Sequence, residues 1–157
     1  MIIRGQKYIL LDITIVLLRD KMDLNNKYIV FFDGECNFCN FWVKQVLKNE
    51  RENNIYFSSL NSSFSKKTMD QLKVDLKNTD SIIVLYQDNI YTKSDAIALI
   101  LKQLKLPFPF FAAIVFALPN FLTNFFYDII AKYRLKVFGK SESCDYSLFH
   151  KKNRMLE

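Results

Sequence analysis

Residues 28–52 read YIVFFDGECNFCNFWVKQVLKNERE and contain the clearest structural pattern in the chain. Its first part, YIVFFD at 28–33, is a continuous apolar run, typical of a strand that is buried on both faces of a sheet. Gly34 follows and suits a tight turn. The part from 36 to 52 then carries apolar side chains at helical spacing, namely Phe38, Phe41, Trp42, Val46 and Leu47. The stretch therefore predicts strand, turn and helix, with two cysteines where the helix begins.

The stretches that follow extend this unit into a regular series. NIYFSSL (54–60) alternates as a second strand, and SKKTMDQLKVDLK (65–77) has the spacing of a second helix. SIIVLYQDNIYT (81–92) predicts a hairpin, and SDAIALILKQLK (94–105) predicts a helix with Ser94 as its N-cap. The resulting βαβαββα order is that of the thioredoxin fold, an α/β fold. It places the cysteine pair at the carboxyl end of the first strand, where reactive groups gather in open α/β sheets.

The composition changes after a predicted thioredoxin-like core at 27–106. The string PFPFFAAIVFALP is almost wholly apolar, but its uninterrupted run is far below the roughly 20 residues that cross a bilayer. We expect residues 107–139 to form an apolar helical extension of the same domain, packed on the sheet. Contact with a membrane surface through 107–126 is the alternative. The polar tail at 140–157 is expected to be loosely held.

Residues 1–26 are predicted to be an N-terminal extension outside this core. An apolar run at 8–18 resembles a signal peptide, but Asp12 interrupts it and no small-residue cleavage site follows. We therefore expect a cytoplasmic protein. Met22 is an alternative start that leads directly into the first strand, in which case residues 1–21 would be an extension that is not native and has no settled fold.

The charge and the cysteine count narrow the class of protein. The net charge is +6, but the basic residues are scattered among acidic ones, which disfavours nucleic acid as a partner. Three cysteines are too few to stabilise the fold through a set of disulfides, so the pair Cys36 and Cys39 is better interpreted as reactive or metal-binding. Cys144 stands far from the pair and has the simpler interpretation of an ordinary thiol.

The position of the pair suggests dithiol chemistry, because unpaired N–H groups and the positive dipole end of a helix favour a thiolate. We expect Cys36 to be the nucleophile, near solvent and the free N–H groups. Cys39 lies a turn further in, where burial favours the neutral thiol, and is the expected resolving residue. Asp33 could accept the proton that Cys39 loses, or could simply be a turn or cap residue.

Three stretches resemble the DCC family of thiol-disulfide oxidoreductases, a thioredoxin-like group: FFDGECNFC (31–39), DSIIVL with YTKSDAIALI (80–100) and NFFYDIIAKYRLKVFGKSESC (124–144). The resemblance covers roughly residues 27–145. It implies a thioredoxin-like fold and exchange with a protein or small-molecule thiol or disulfide, without a cofactor. Carried over by position, its signature falls on Asp33, Cys36 and Cys39, and its second half falls on Ser94–Asp95, Tyr127 to Arg134, Phe138–Gly139 and Cys144.

Two further residues are candidates for the site, and the chain differs from thioredoxins at one position. Asp95 and Arg134 are polar within apolar helical surroundings, so they could pair or line the site, or be a solvated cap and a helix-face cation. Thioredoxins carry a cis-proline before the third core strand, whereas this chain has Thr79, Asp80 and Ser81 there. A negative Asp80 near Cys36 would disfavour its thiolate.

Two other functions compete with the redox interpretation. Cys36 and Cys39 with Cys144 and His150 could form a Cys₃His zinc site, although only half of the usual paired spacing is present. Alternatively, the chain is a thioredoxin-like binding module in which the thiols do not react and the apolar segment meets a partner.

Overall fold

The elements follow the predicted order along the chain. The computed structural model describes residues 7–8, 26–72, 82–87, 89–140 and 154–156. Its elements are β1 (Lys7–Tyr8), β2 (Tyr28–Phe32), α1 (Asn37–Asn49), β3 (Ile55–Ser59), α2 (Ser63–Gln71), β4 (Ile83–Tyr86), β5 (Asn89–Thr92), α3 (Lys93–Lys102), α4 (Phe108–Ala117) and α5 (Asn120–Phe138). From β2 to α3 this is a βαβαββα series, which confirms the thioredoxin-like α/β core. The helices α4 and α5 form the extension that follows it.

The sheet explains why the YIVFF stretch is apolar throughout. Strands β2 to β5 form a mixed sheet, and β1 adds a short strand at the edge, in the order β1-β5-β4-β2-β3. Strand β2 pairs in parallel with β3 and antiparallel with β4, so that Val30 lies opposite both Phe57 and Val84. All five residues of β2 are buried, because both of its edges and both of its faces are covered.

Alternation along β2 divides the core into two layers. Val30 and Phe32 face the apolar sides of α1 and α3. Ile29 and Phe31 face α2 on the other side of the sheet, where Met69 is fully buried. Burying a large apolar side chain stabilises the fold by about 1.5–3 kcal/mol relative to leaving it exposed, so the two layers fix the register of β2.

Helix α3 begins differently from the prediction. The predicted N-cap was Ser94, but the N-cap position is Thr92, which makes no side-chain cap bond. The Ser94 hydroxyl instead donates to Asn124 Oδ1 (2.7 Å) and accepts from Thr123 Oγ1 (3.1 Å). The prediction was wrong because a tertiary contact with α5 takes the side chain away from the helix end.

Both ends of the chain have residues that pair with the sheet. Strand β1 pairs antiparallel with β5; the rest of residues 1–21 lies outside the described part. Near the other terminus, Phe57 N donates to Arg154 O (2.9 Å) and Leu156 N donates to Phe57 O (2.8 Å). The prediction of a loosely held tail is therefore wrong for 154–156, which occupies the outer edge of β3.

The extension packs on the core through few residues and exposes much apolar surface. Ala112 and Thr123 are buried against the core. The exposed large apolar side chains of α4 and α5 are Phe110, Phe111, Ile114, Phe121, Phe125, Phe126, Ile129, Ile130, Tyr133, Val137 and Phe138. Within the described residues, neither these helices nor any other is long and apolar enough to cross a membrane.

Candidate functional site

The cysteine pair lies at the start of α1, as the sequence predicts. Cys36 is the N-cap residue, and its Sγ accepts a hydrogen bond from the backbone N–H of Cys39 at 3.5 Å. The backbone N–H of Cys36 in turn donates to Asp33 O (3.3 Å), which closes the turn after β2. The two thiols are therefore held together at the positive end of a helix dipole. Both cysteines are free thiols.

The exposure of the two thiols is the reverse of the prediction. Cys36 is 0% exposed, whereas Cys39 is partly exposed. Lys140 pairs with Cys36 in an isolated antiparallel bridge, and Asn37 Nδ2 donates to Phe138 O (3.0 Å). The prediction failed because the chain beyond α5 lies against the start of α1, about a hundred residues away in sequence, where local pattern reasoning does not reach.

Arg134 connects the pair to Asp33. Its Nη1 donates to Cys39 Sγ at 3.1 Å, and its Nη2 forms an ion pair with Asp33 Oδ2 at 3.5 Å. Its side chain is only 10% exposed, so the alternative of a solvated helix-face cation is wrong. The suggested pairing with Asp95 is also wrong, since Arg134 pairs with Asp33 instead.

Burial and charge act in opposite directions on Cys39. Burial raises the pKa of its thiol, while the Arg134 guanidinium lowers it and the neighbouring Cys36 and Asp33 raise it further, to about 12 in all. For Arg134, burial acts to lower the pKa, but Cys39, Cys36 and Asp33 together raise it above its usual value. The guanidinium thus stays charged and is the group that favours a Cys39 thiolate.

Asp33 is both a turn residue and a neighbour of the thiols. Its Oδ1 accepts from Glu35 N (3.0 Å), which fixes the turn, and its Oδ2 faces Arg134. Gly34 lies in the same turn, where its carbonyl accepts from Asn40 Nδ2 (3.0 Å). The interpretation of Asp33 as a turn residue is therefore confirmed, and its role as a proton acceptor stays a prediction.

Tyr127 also lies at the site, and the family resemblance marked it only as one end of the stretch from Tyr127 to Arg134. Its hydroxyl accepts from Ile82 N (2.8 Å) at the start of β4, and burial raises its pKa while Arg134 lowers it. The available signal was its spacing, because Tyr127 and Arg134 are seven apart on α5 and so share a helix face.

Asp95 makes no contact with the thiols, and several other predicted residues lie outside the described part of the chain. Asp95 lies in the first turn of α3, where burial raises its pKa, and has no hydrogen bond or ion pair with Cys36 or Cys39. Asp80 and Cys144 lie outside the described residues, as do Thr79, Ser81 and His150. Within the described part of the chain, no three His, Cys, Asp or Glu side chains are grouped so that they could hold a metal ion.

A cavity of about 580 Å³ borders the site. Cys39, Tyr127 and Arg134 form part of its wall, and most of the remainder is apolar. Cys39 can therefore be approached from this cavity, whereas Cys36 is covered.

Comparisons with known proteins agree with this geometry. Residues 30–140 match the family model of DCC1-like thiol-disulfide oxidoreductases. The chain is 36% identical over 117 residues to a chloroplastic DCC family protein of Arabidopsis thaliana, covering 74% of this chain and 68% of that protein. It is 32% identical over 116 residues to the uncharacterized protein YuxK of Bacillus subtilis, covering 74% and 84%. No solved structure matches the chain. By its sequence and by the cysteine pair at the start of α1, the chain belongs to the DCC1-like thiol-disulfide oxidoreductase family.

Proposed function

We propose that this protein exchanges thiols and disulfides through Cys36 and Cys39, with Cys36 as the nucleophile and Cys39 as the resolving thiol. One observation carries the proposal: both residues lie at the first turn of α1, with Cys36 Sγ 3.5 Å from the backbone nitrogen of Cys39. A sulfur at that position receives the N–H group and the positive dipole end, which stabilise a thiolate. The redox role of the family supports the same chemistry.

The proposed cycle transfers two electrons from the dithiol to a substrate disulfide. The Cys36 thiolate attacks one substrate sulfur, which forms a mixed disulfide and releases the other substrate sulfur as a thiolate. Cys39 then loses its proton and attacks Cys36 Sγ, which releases the second substrate thiolate and leaves the Cys36–Cys39 disulfide. A protein or small-molecule thiol in the cytoplasm, the location that we predict, would return the pair to the dithiol.

Arg134 and Asp33 serve the second step in this proposal. The high pKa of Cys39 keeps it protonated while Cys36 attacks, and the guanidinium 3.1 Å away stabilises the Cys39 thiolate when it forms. Asp33 is the proposed proton acceptor, supported by its carboxylate, which is held on the same guanidinium.

The burial of Cys36 has a consequence for the substrate. Because Cys36 is 0% exposed, a protein disulfide reaches its sulfur only after the chain opens locally near Lys140. We therefore expect slow reaction with bulky disulfides and faster reaction with small ones.

Trapping of mixed disulfides tests the assignment of the two roles. The purified protein is equilibrated with dithiothreitol and glutathione buffers, and its variants are incubated with a small aromatic disulfide and analysed by mass spectrometry. We expect Cys39→Ser to accumulate a mixed disulfide at Cys36, and Cys36→Ser to form none. Cys144→Ser is the control and should cycle as the unmodified protein does.

Each alternative result has a definite meaning. A mixed disulfide at Cys39 in the Cys36→Ser variant would show that Cys39 is the nucleophile and Cys36 the resolving thiol. A pair that stays reduced in every buffer and forms no mixed disulfide would reject the redox function and leave the binding module. Zinc bound in stoichiometric amount would instead favour the metal site.

A further inference from the structure

Helices α4 and α5 present apolar side chains to solvent that the thiol chemistry does not use. Phe110 and Ile114 are exposed on α4, and Phe121, Phe125 and Ile129 are exposed on α5; we call these five side chains the outer face. Both helices border the same cavity and are therefore neighbours. Monomeric proteins seldom expose apolar surface on this scale unless it contacts another protein or a membrane.

The outer face offers almost no hydrogen-bonding groups. No charged residue occurs in the 22 residues between Lys105 and Asp128. Within that stretch, the side chains of Thr123, Asn124 and Tyr127 bond to groups of the core. Protein–protein interfaces carry about one hydrogen bond per 100–200 Å² and a polar rim. A surface that lacks such groups is better matched to lipid acyl chains, which need none.

Basic residues flank this uncharged stretch. Residues 101–140 contain six basic residues and one acidic residue, which amounts to +5 of the net +6 of the chain. The acidic residue, Asp128, is paired with Lys93 at 2.8 Å. Lys132 and Lys136 are exposed, and their helical spacing places them on the same side of α5 as the outer face. That side of α5 is therefore apolar in its first half and basic in its second half.

The positive charge decides between the partners that an apolar face can have. A symmetric dimer through this face would bring one basic surface against another, and like charges at an interface repel. A bilayer with anionic lipids supplies acyl chains for the outer face and negative headgroups for the lysines. We propose that the outer face binds the surface of an anionic lipid bilayer, with Lys132 and Lys136 among the headgroups. This contact goes beyond the thiol cycle and does not depend on it.

Flotation with lipid vesicles tests the proposal on the reduced, full-length protein. Vesicles of phosphatidylcholine are compared with vesicles of phosphatidylcholine and phosphatidylglycerol in equal parts. We expect binding to the mixed vesicles that is about tenfold or more tighter than to phosphatidylcholine and that weakens as salt is added. Protein that floats with neither kind of vesicle rejects the proposal. Sedimentation without lipid would then show whether a second copy covers the face or a different protein is required.

A pair of lysine variants tests which surface meets the lipid. Lys132→Gln combined with Lys136→Gln should weaken binding to the mixed vesicles about 10- to 30-fold, since each lysine near an anionic surface contributes about fivefold. The matched control combines Lys66→Gln with Lys67→Gln, which removes the same charge from α2 on the other side of the sheet. The control should bind as the unmodified protein does. Equal losses in both double variants would show that net charge alone causes binding and would overturn the proposal.

A third double variant tests the apolar contact without changing the charge. Phe110 and Phe121 are 65% and 77% exposed, so replacing both by serine should leave the fold intact, which circular dichroism establishes. Phe110→Ser combined with Phe121→Ser should weaken binding to the mixed vesicles about tenfold or more, because the variant loses apolar surface that the lipid would bury. Unchanged binding by this folded variant would show adsorption through the lysines alone and would reject the outer face as the contact.

Discussion

Replacing Arg134 by methionine removes the cation that lies 3.1 Å from Cys39 Sγ and leaves a shorter, uncharged, unbranched side chain in its place. An opposite charge at this distance lowers the pKa of a thiol by about 1–3 units, so its loss should raise the pKa of Cys39 by that amount. The freed Asp33 carboxylate acts in the same direction, because its charge already raises this pKa. The thiolate fraction at a fixed pH below the pKa then falls about 10- to 1,000-fold.

The observable effect is smaller, because a thiolate of higher pKa is intrinsically more nucleophilic. With a Brønsted coefficient of about 0.4–0.5, the alkylation rate should fall about 3- to 60-fold. The assay measures alkylation by iodoacetamide at pH values near 9 in a Cys36→Ser, Cys144→Ser background, where Cys39 is the sole thiol. Arg134→Lys keeps the charge and should give an intermediate rate.

Lys136→Met provides the matched control, since Lys136 is an exposed cation on the same helix. It removes one positive charge without touching the pair, so the alkylation rate should stay unchanged. Circular dichroism establishes that each variant is folded. The reasoning is refuted if folded Arg134→Met reacts as fast as Lys136→Met, because the Nη1–Sγ contact would then have no influence on the thiolate.

Two further predictions concern stability. Below pH 9 the Cys39 thiol is protonated in both the folded and the unfolded chain, whereas from pH 9 to 12 only the unfolded chain releases the proton. The free energy of unfolding of the reduced protein should therefore fall over this range, by about 1.4 kcal/mol per pH unit for this group. Urea unfolding at several pH values measures this slope of free energy against pH, and Cys39→Ala should reduce it. A slope unchanged in Cys39→Ala would contradict the raised pKa. Ser94→Ala removes the hydroxyl that bonds to both Thr123 and the partly exposed Asn124, while Thr123 Oγ1 keeps Asn120 O as an acceptor at 3.2 Å. The change should cost about 0.5–1.5 kcal/mol, non-additively with Thr123→Val; additive losses would show that the three groups do not form one network.

The fold was largely predictable because its signals are local. The apolar run of β2 and the helical spacing in α1 depend on residues that are neighbours in sequence, and the series of such segments defines the βαβαββα order. The N-cap at Ser94 was the exception, since its hydroxyl bonds to Asn124 on another helix.

The site was predictable in part. The signature at residues 33–39 marked the cysteine pair and included Asp33, because these residues are close together in the sequence. Arg134 was visible only as a polar residue in apolar surroundings, which did not distinguish a solvated cation from a partner of the thiol. The Asp33–Arg134 pair spans 101 residues, and no local pattern encodes such a contact.

By itself, the sequence determined the family, the order of the elements and the two cysteines at the start of a helix. The tertiary structure decided which thiol is covered: the chain at Lys140 pairs with Cys36, and Cys39 is left open to the cavity with Arg134 beside it. The physical reason is that burial and charge depend on which distant segments pack together. The DGECNFC motif at 33–39 therefore specifies where the thiols are, and α5 specifies how each one is exposed and charged.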